Sequence, residues 1–296
     1  MIPDNLNDLL AFITVARERN FTRAAAQLGV SQSALSRTVK ALEQRMGLTL
    51  LTRTTRSVAL TEAGTRVLAS IAPRLEDIAQ ELESLSELRD QPGGTVRITA
   101  TDYAANTWIW PRLRPLLQQY PDLRVELIND YGLSNIVEQR YDIGVRLGGQ
   151  VEKDMIAARI SPDLTMTIVG APTYLATHRA PTQPQDLTGH NCINLRLPTH
   201  AALMPWELRK GKREVHVRVD GQLVLNSTYQ MLDAALAGLG LAWLPQELVE
   251  PHVAAGHLAW VLPDWSPTFS GHHVYYTSRR PASRAVALVI AALKQY

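Results

Sequence analysis

Ser33, Ser36, Arg37 and Lys40 recur at intervals that bring them to one side of an α-helix, with Gln32 beside them at its N-terminus. Their chemistry suits DNA. Glutamine can pair with adenine, arginine can grip guanine through two parallel bonds, and hydroxyls serve bases or phosphates. Leu35, Val39, Leu42 and Met46 are spaced four, three and four apart, so the opposite side of the same helix is a core face. Any surface helix shows a polar outer face, and local charge separates the two readings. From Arg17 to Arg56 there are eight basic residues (Arg17, Arg19, Arg23, Arg37, Lys40, Arg45, Arg53, Arg56) against two acidic ones (Glu18, Glu43), a local net of +6 in a chain whose net charge is only +2. Such a patch is the electrostatic footprint of phosphate contact.

The elements that would hold this face follow from the neighbouring residues. Leu6, Leu9, Leu10, Ile13 and Ala16 predict a first helix, and a short second one follows, with Thr22 as its cap, Ala24, Ala25 and Leu28 as its apolar stripe and Gly29 as its stop. Val30 is expected to fill the corner and Ser31 to cap the polar-faced helix. The threonine-rich run from Leu48 to Leu60 predicts a two-stranded wing, whose tip would offer Arg53, Thr54, Thr55 and Arg56 to a phosphate backbone or a minor groove. Thr61 then opens a long helix reaching to about Arg89. Leu68, Ile71, Leu75, Ile78, Leu82 and Leu85 form a heptad seam along it that needs a partner, and its acidic flanks make DNA an unsuitable one. The simplest partner is a second copy of the chain; packing on the chain's own C-terminal domain is the alternative. Pro73 is expected to kink or interrupt this helix.

Gln91-Pro92-Gly93-Gly94 reads as a linker, and beyond it short apolar strands alternate with helices in an α/β arrangement. The expected elements include helices over Trp108–Gln119 and Leu133–Gln139. Polar residues stand at the ends of strands, where ligands of α/β sheets sit: Thr101, Asp102, Asn129, Arg146, Asn194, Asn226, Ser227 and Thr228. Each also serves as an ordinary cap or turn residue. Together they could bind a small polar effector, with Arg146 the natural partner of a carboxylate on an anionic metabolite.

Other chemistries find little support. The 296 residues are 46% hydrophobic and 20% charged, ordinary for a soluble globular protein. There is no phosphate-binding loop, nucleophile elbow, His-Glu-x-x-His or Cys-x-x-Cys pattern, so no catalytic, metal or cofactor site is assigned. Cys192 is the one cysteine and reads as a buried apolar residue; Trp108 and Trp110 read as core. Gly238-Leu-Gly240 reads as a helix cap, and His272 and His273, adjacent on a strand, point to opposite faces. With neither a signal-peptide pattern nor a stretch long enough to span a bilayer, the protein is expected in the cytoplasm, without membrane contact. A regulator that binds DNA in response to a small molecule is the leading reading. A small-molecule enzyme dimerised by its helical unit and a non-specific architectural DNA-binding protein are its rivals.

Phe21-Thr-Arg-Ala-Ala-Ala-Gln-Leu-Gly-Val-Ser-Gln-Ser-Ala-Leu-Ser-Arg37, Leu42-Glu43, the Arg53-Thr-Thr-Arg56 wing and Leu60-Thr-Glu-Ala-Gly64 resemble the N-terminal signature of LysR-type transcriptional regulators. Gly170-Ala-Pro-Thr-Tyr-Leu175, Asp233-Ala-Ala-Leu-Ala-Gly-Leu-Gly240 with Leu244-Pro245, and Tyr276 to Arg280 are similar to the effector domain of that family. The resemblance implies a winged helix-turn-helix over residues 1–60, a dimerising linker helix over 61–90 and an effector domain over 91–296. That domain would be two α/β subdomains folded like periplasmic binding proteins, about 95–162 with 268–296 and about 163–267, joined near Ser161–Leu164 and Ser266–Ser270. It also implies double-stranded promoter DNA and a small-molecule effector as partners, and a homodimer assembling into a tetramer. The Trp-rich stretch and the Arg146-Leu-Gly-Gly149 turn look most like the glycine-cleavage-activator-like branch.

Overall fold

Capping side chains and left-handed glycines set the boundaries of the N-terminal helices. The computed structural model describes residues 3–53, 58–84, 92–132, 136–137, 139–151, 155–197, 203–277 and 283–294, and the chain divides into two units, residues 1–86 and 87–296. In the first, α1 (Pro3–Glu18), α2 (Phe21–Leu28) and α3 (Gln32–Met46) are followed by β1 (Leu51–Arg53), β2 (Val58–Leu60) and α4 (Glu62–Ser84). Asn20, rather than Thr22, caps α2: its side-chain oxygen accepts from the Thr22 and Arg23 N–H groups at 2.8 and 3.1 Å. Gly29 ends the helix at φ +66°, a backbone that a Cβ would strain. Ser31 caps α3 by accepting from Ala34 N at 3.2 Å.

Phe12, Ile13, Val15 and Ala16 of α1, Phe21, Ala24 and Ala25 of α2, and Leu35, Val39 and Leu42 of α3 share one core with Leu50, Leu51 and Ala72. Several expected core residues lie outside it. Leu6, Leu10, Leu28, Val30 and Met46 are exposed; the stripe of α1 is centred on Phe12 and Ile13, and Leu28 and Met46 are the last residues of α2 and α3, beyond the buried stretch of each. The Glu43 carboxylate accepts from Leu50 N and Leu51 N at 2.7 and 3.0 Å, tying the entry of the β1–β2 hairpin to α3. Thr61 accepts from Gly64 N at 3.0 Å and so caps α4. The helix runs on through Pro73 without interruption, since losing one ladder bond is tolerated in a helix of 23 residues. Leu68, Ile71 and Leu75 pack on the unit's own core, whereas Ile78 is exposed. The upper half of the heptad seam therefore has an internal partner. Leu85, the expected end of the helix toward Arg89, and Thr54, Thr55 and Arg56 lie outside the described residues.

The second unit contains two mixed sheets. Its elements in order are β3 (Gly94–Ala100), α5 (Asp102–Ala104), a π-helical turn (Ala105–Ile109), α6 (Trp110–Gln119), β4 (Leu123–Asn129), β5 (Ile143–Leu147), β6 (Met155–Arg159), β7 (Leu164–Gly170), α7 (Pro172–Thr177), β8 (Cys192–Leu195), β9 (Trp206–Lys210), β10 (Arg213–Val217), β11 (Val224–Leu225), α8 (Thr228–Leu236), β12 (Leu241–Pro245), α9 (Gln246–Ala254), β13 (Ala259–Val261), β14 (Thr268–Phe269), β15 (His272–Thr277) and α10 (Arg284–Leu293). One sheet has the order β4-β3-β5-β15-β6, with β3 parallel to β4 and β5; the other has the order β11-β8-β12-β7-β13, with β14 also on β7. The chain crosses between them at Ile160–Asp163 and at Ser270–Gly271. The crossings touch: Ile160 N donates to His272 O at 2.8 Å and His272 N to Ser161 Oγ at 2.7 Å. A Cβ on Gly271 would stand 2.1 Å from Pro162 O, so only glycine fits there.

The helix expected from Trp108 begins six residues earlier, through α5 and the π-helical turn. The helix expected over Leu133–Gln139 is absent where it is described: Ile136, Val137, Gln139 and Arg140 are in turns, and Leu133, Ser134, Asn135 and Glu138 lie outside the described residues. Trp110, expected in the core, is half exposed on α6, while Trp108 packs against the first sheet's core. Cys192 is buried, and burial first, with Asp220 nearby, pushes its thiol up to about 12.

Candidate functional site

On α3, Gln32, Ser33, Arg37 and Lys40 are exposed and Ser36 is half buried; Ser33, Ser36, Arg37 and Lys40 lie on the side away from Leu35, Val39 and Leu42, and Gln32 stands at the N-terminus of the helix, on the side of Val39. The Thr22 hydroxyl donates to Gln32 Oε1 at 3.2 Å, and the Ser31 and Ser33 hydroxyls lie 3.1 Å apart. Not all of the local positive charge is available to DNA. Arg45 pairs with Asp8, and Arg23 donates to Glu18 O at 2.8 Å and stands 3.4 Å from its carboxylate. At the wing, Arg53 ends β1, and Thr54 and Arg56 lie outside the described residues.

The second candidate site stands where the two sheets of the second unit meet. Asp102 follows β3, and Ser227 and Thr228 open α8, 125 and 126 positions later. The buried Asp102 carboxylate accepts from Ser227 Oγ at 2.7 Å, from Thr228 N at 2.9 Å and from the Tyr131 hydroxyl, which also bonds with Thr228 Oγ1. A second link runs from the Tyr103 hydroxyl to Glu247 Oε2 at 3.0 Å. Burial first, then the adjoining carboxylate, raises the pKa of both tyrosines, so they remain donors throughout the physiological range. Tyr131 and Tyr103 were not among the residues picked from the sequence. The signal for Tyr131 was its place two residues past the end of β4, beside Asn129.

The other sequence-chosen residues are dispersed. Thr101 is half buried and caps α5, accepting from Ala104 N at 3.3 Å. Arg146 is 1% exposed and already engaged: Nη1 donates to Val145 O at 2.8 Å, and Nη2 to Gly132 O at 2.8 Å and Thr99 Oγ1 at 3.2 Å. Its Nε is buried without a hydrogen-bond partner, and desolvation lowers its pKa. Asn194 is fully buried; Nδ2 donates to Cys192 O at 3.0 Å and Oδ1 is left without a partner. Asn129 and Asn226 are exposed. Of the eight, the structure brings Asp102, Ser227 and Thr228 into direct contact.

Residues 89–296 match the LysR substrate binding domain, and residues 6–65 match the bacterial regulatory helix-turn-helix protein domain of the lysR family. The chain belongs to the LysR family. A candidate transcriptional regulator of Pseudomonas aeruginosa is 53% identical to it, over 99% of this chain and 96% of its own length. The Escherichia coli HTH-type transcriptional regulator PgrR is 48% identical, over 98% of this chain and 97% of its own. Among solved structures, the full-length Vibrio cholerae virulence activator AphB superposes with a TM-score of 0.70 at 26% identity, covering 98% of this chain and 99% of that one. The chain is thus a DNA-binding transcription regulator whose promoter binding responds to a small molecule held in its C-terminal α/β domain, and LysR-type regulators act as oligomers. The names its relatives carry are those of regulators rather than enzymes. Among the described residues no helix is long and apolar enough to cross a membrane.

Proposed function

We propose that α3 is the helix that reads the operator, with Gln32, Ser33, Ser36 and Arg37 toward base edges and Lys40 toward phosphate, while Arg53, Thr54 and Arg56 of the wing contact the backbone or minor groove. The observation that carries this is the division of α3 into a buried face of Leu35, Val39 and Leu42 and an opposite face that holds Ser33, Ser36, Arg37 and Lys40. The effector is assigned to the meeting of the two sheets, at Thr101, Asp102, Asn129, Arg146, Asn194, Asn226, Ser227 and Thr228, with Tyr131 added. An anionic metabolite is favoured by the unpartnered Arg146 Nε. Two copies dimerise through α4, where the exposed Ile78 continues the seam, and dimers pair into a tetramer, acting in the cytoplasm on double-stranded promoter DNA. Trp108, Trp110 and the Arg146-Leu-Gly-Gly149 turn support the glycine-cleavage-activator-like branch. The test is binding to promoter fragments flanking the protein's own gene, across a salt series and against random competitor. Wild type holds one fragment against competitor, and Arg37→Ala relaxes preference by about tenfold or more at one base pair per half-site. An Arg37→Ala protein of unchanged specificity, or uniform weak binding by wild type, refutes the assignment.

A further inference from the structure

Two neighbouring residues just past β3 reach from the first sheet to helices packed on the second. Tyr103 bonds through its hydroxyl to Glu247 in the first turn of α9, and Asp102 bonds to the start of α8. The contact at α8 has the form of a bound ligand. Asp102 Oδ2 accepts from Thr228 N, the first N–H of the helix, at 2.9 Å and from Ser227 Oγ at 2.7 Å, while Oδ1 accepts from the Tyr131 hydroxyl. Ser227 is also the N-cap of α8, accepting from Gln230 N at 3.5 Å. A helix start favours an anion, and here the chain's own carboxylate occupies it. Among the described residues no cation pairs with this buried group, so neutral donors and the helix N-terminus alone hold it. It is also positioned in advance: Thr101 caps α5, and Asn106 Nδ2 donates to Asp102 O at 2.8 Å. A tethered, pre-positioned group meets its partners at an effective concentration far above that of a free anion.

We propose that Asp102 is an internal ligand: its carboxylate takes the anion position at the start of α8, latches the two sheets of the effector domain together and keeps small free anions out. An effector that uses this position has to win it with contacts made elsewhere. Acetate, which is little more than the carboxylate itself, has none to offer. Once the Asp102 side chain is removed, the Ser227, Thr228 and Tyr131 donors are left to a carboxylate from solution, and the latch closes on that ligand instead of on the chain. The consequence for DNA binding rests on the effector being held where the two sheets meet; the latch itself does not.

Full-length wild type, Asp102→Ala, Asp102→Asn and Tyr103→Phe are compared at pH 7 in matched concentrations of sodium acetate and sodium chloride. Thermal unfolding is followed through tryptophan fluorescence, and affinity for the promoter fragment is measured in the same two salts. In chloride, Asp102→Ala unfolds roughly 6–12 °C below wild type. Acetate returns about half of that loss or more, and it brings promoter affinity, shifted about fivefold from wild type in chloride, back toward the wild-type value. Wild type gains no more stability from acetate than from chloride. Neither does Asp102→Asn, whose amide fills the same space, nor Tyr103→Phe, which loosens the other contact and leaves the anion position filled. If Asp102→Ala does not fold in chloride, the comparison is made on its refolding yield, which acetate restores and chloride does not. Acetate that does no more than chloride for Asp102→Ala overturns the proposal, as does an equal gain in wild type or Asp102→Asn. Failure of wild type to hold any promoter fragment would refute the reading of α3 and leave the unfolding comparison to decide the latch.

Discussion

Acidification should weaken the second unit through one side chain, His272. It opens β15 at 3% exposure, and burial first, then the neighbouring charges of His273 and Arg146, push its pKa from 6.5 down to about 4. Among the described residues, the charged groups that act on it, His273 and Arg146, include no carboxylate to hold a charged ring. Arg146 faces it from β5, the Tyr103 ring from α5 at 6.0 Å between centroids, and Ser161 from the crossover, with its Oγ 3.5 Å from Nδ1. Between about pH 6.5 and 4 the unfolded chain takes up a proton that the folded chain refuses. Stability therefore falls as pH is lowered through that window and levels off below it. At about 1.4 kcal/mol per pH unit, the gap amounts to about 3 kcal/mol. The assay is urea unfolding followed by tryptophan fluorescence at a series of pH values. All six tryptophans (108, 110, 206, 243, 260 and 265) lie in the second unit, so the signal reports it alone. A His272→Asn variant supplies the reference, because every other titration cancels in the difference. Relative to that variant, wild type should lose about 2.5 kcal/mol between pH 7 and pH 4.5. A difference that stays flat, or that moves in favour of wild type on acidification, refutes the reasoning.

Two further substitutions probe the packing of each unit. Asp102→Ala strands the Ser227, Thr228 and Tyr131 donors together and should cost the second unit about 3 kcal/mol, with Asp102→Asn, which keeps an acceptor oxygen, costing less; the same fluorescence assay gives both values, and a loss for Asp102→Ala below about 0.5 kcal/mol would show that the contact is not maintained in solution. Gly64→Ala places a Cβ 2.1 Å from Leu50 O, a backbone atom that cannot step aside; the expected result is lost operator binding with the tryptophan unfolding transition unchanged, and normal binding by this variant would contradict the packing of α4 on the entry to the wing.

Local rules carried the sequence reading furthest where the cause is itself local. Gly29 adopts the left-handed backbone that stops a helix, Ser31 caps the helix it precedes, and the spacing of Leu35, Val39 and Leu42 gives the buried face of α3. The same rules placed Thr22 as a cap, but Asn20, two residues earlier, has an oxygen that reaches two free N–H groups at once. Periodicity names the centre of a face and is silent about its margins. Leu6, Leu10, Leu28 and Met46 fit the period and are exposed, while Phe12 and Phe21 form part of the core, because coverage depends on where the neighbouring helices begin and end. The heptad seam of α4 shows the same limit: a stripe that reads as one interface is spent on the unit's own core at Leu68, Ile71 and Leu75 and exposed at Ile78.

The second candidate site was legible as an inventory and illegible as an arrangement. Strand ends could be found by pattern, and small polar residues there could be noted, yet nothing local says that Asp102 will meet Ser227 and Thr228 rather than Asn129 or Asn226. That pairing follows from the two crossings, which bring a turn after β3 against the first turn of α8. The consequence for charge runs against the simplest sequence argument. Arg146 reads as the group that meets a ligand carboxylate, but Val145 O, Gly132 O and Thr99 Oγ1 already occupy two of its nitrogens, leaving Nε. Asp102 reads as one cap among several, yet it places a carboxylate at the start of α8, where helix N–H groups favour negative charge. An anion placed at the start of α8 must therefore either displace the Asp102 carboxylate or bind beside it against like-charge repulsion. Displacement would break the hydrogen bonds from Asp102 to Ser227 and Thr228, which join the two sheets, and so would give the anion different free energies in the linked and unlinked arrangements, the condition for a ligand to act as a switch.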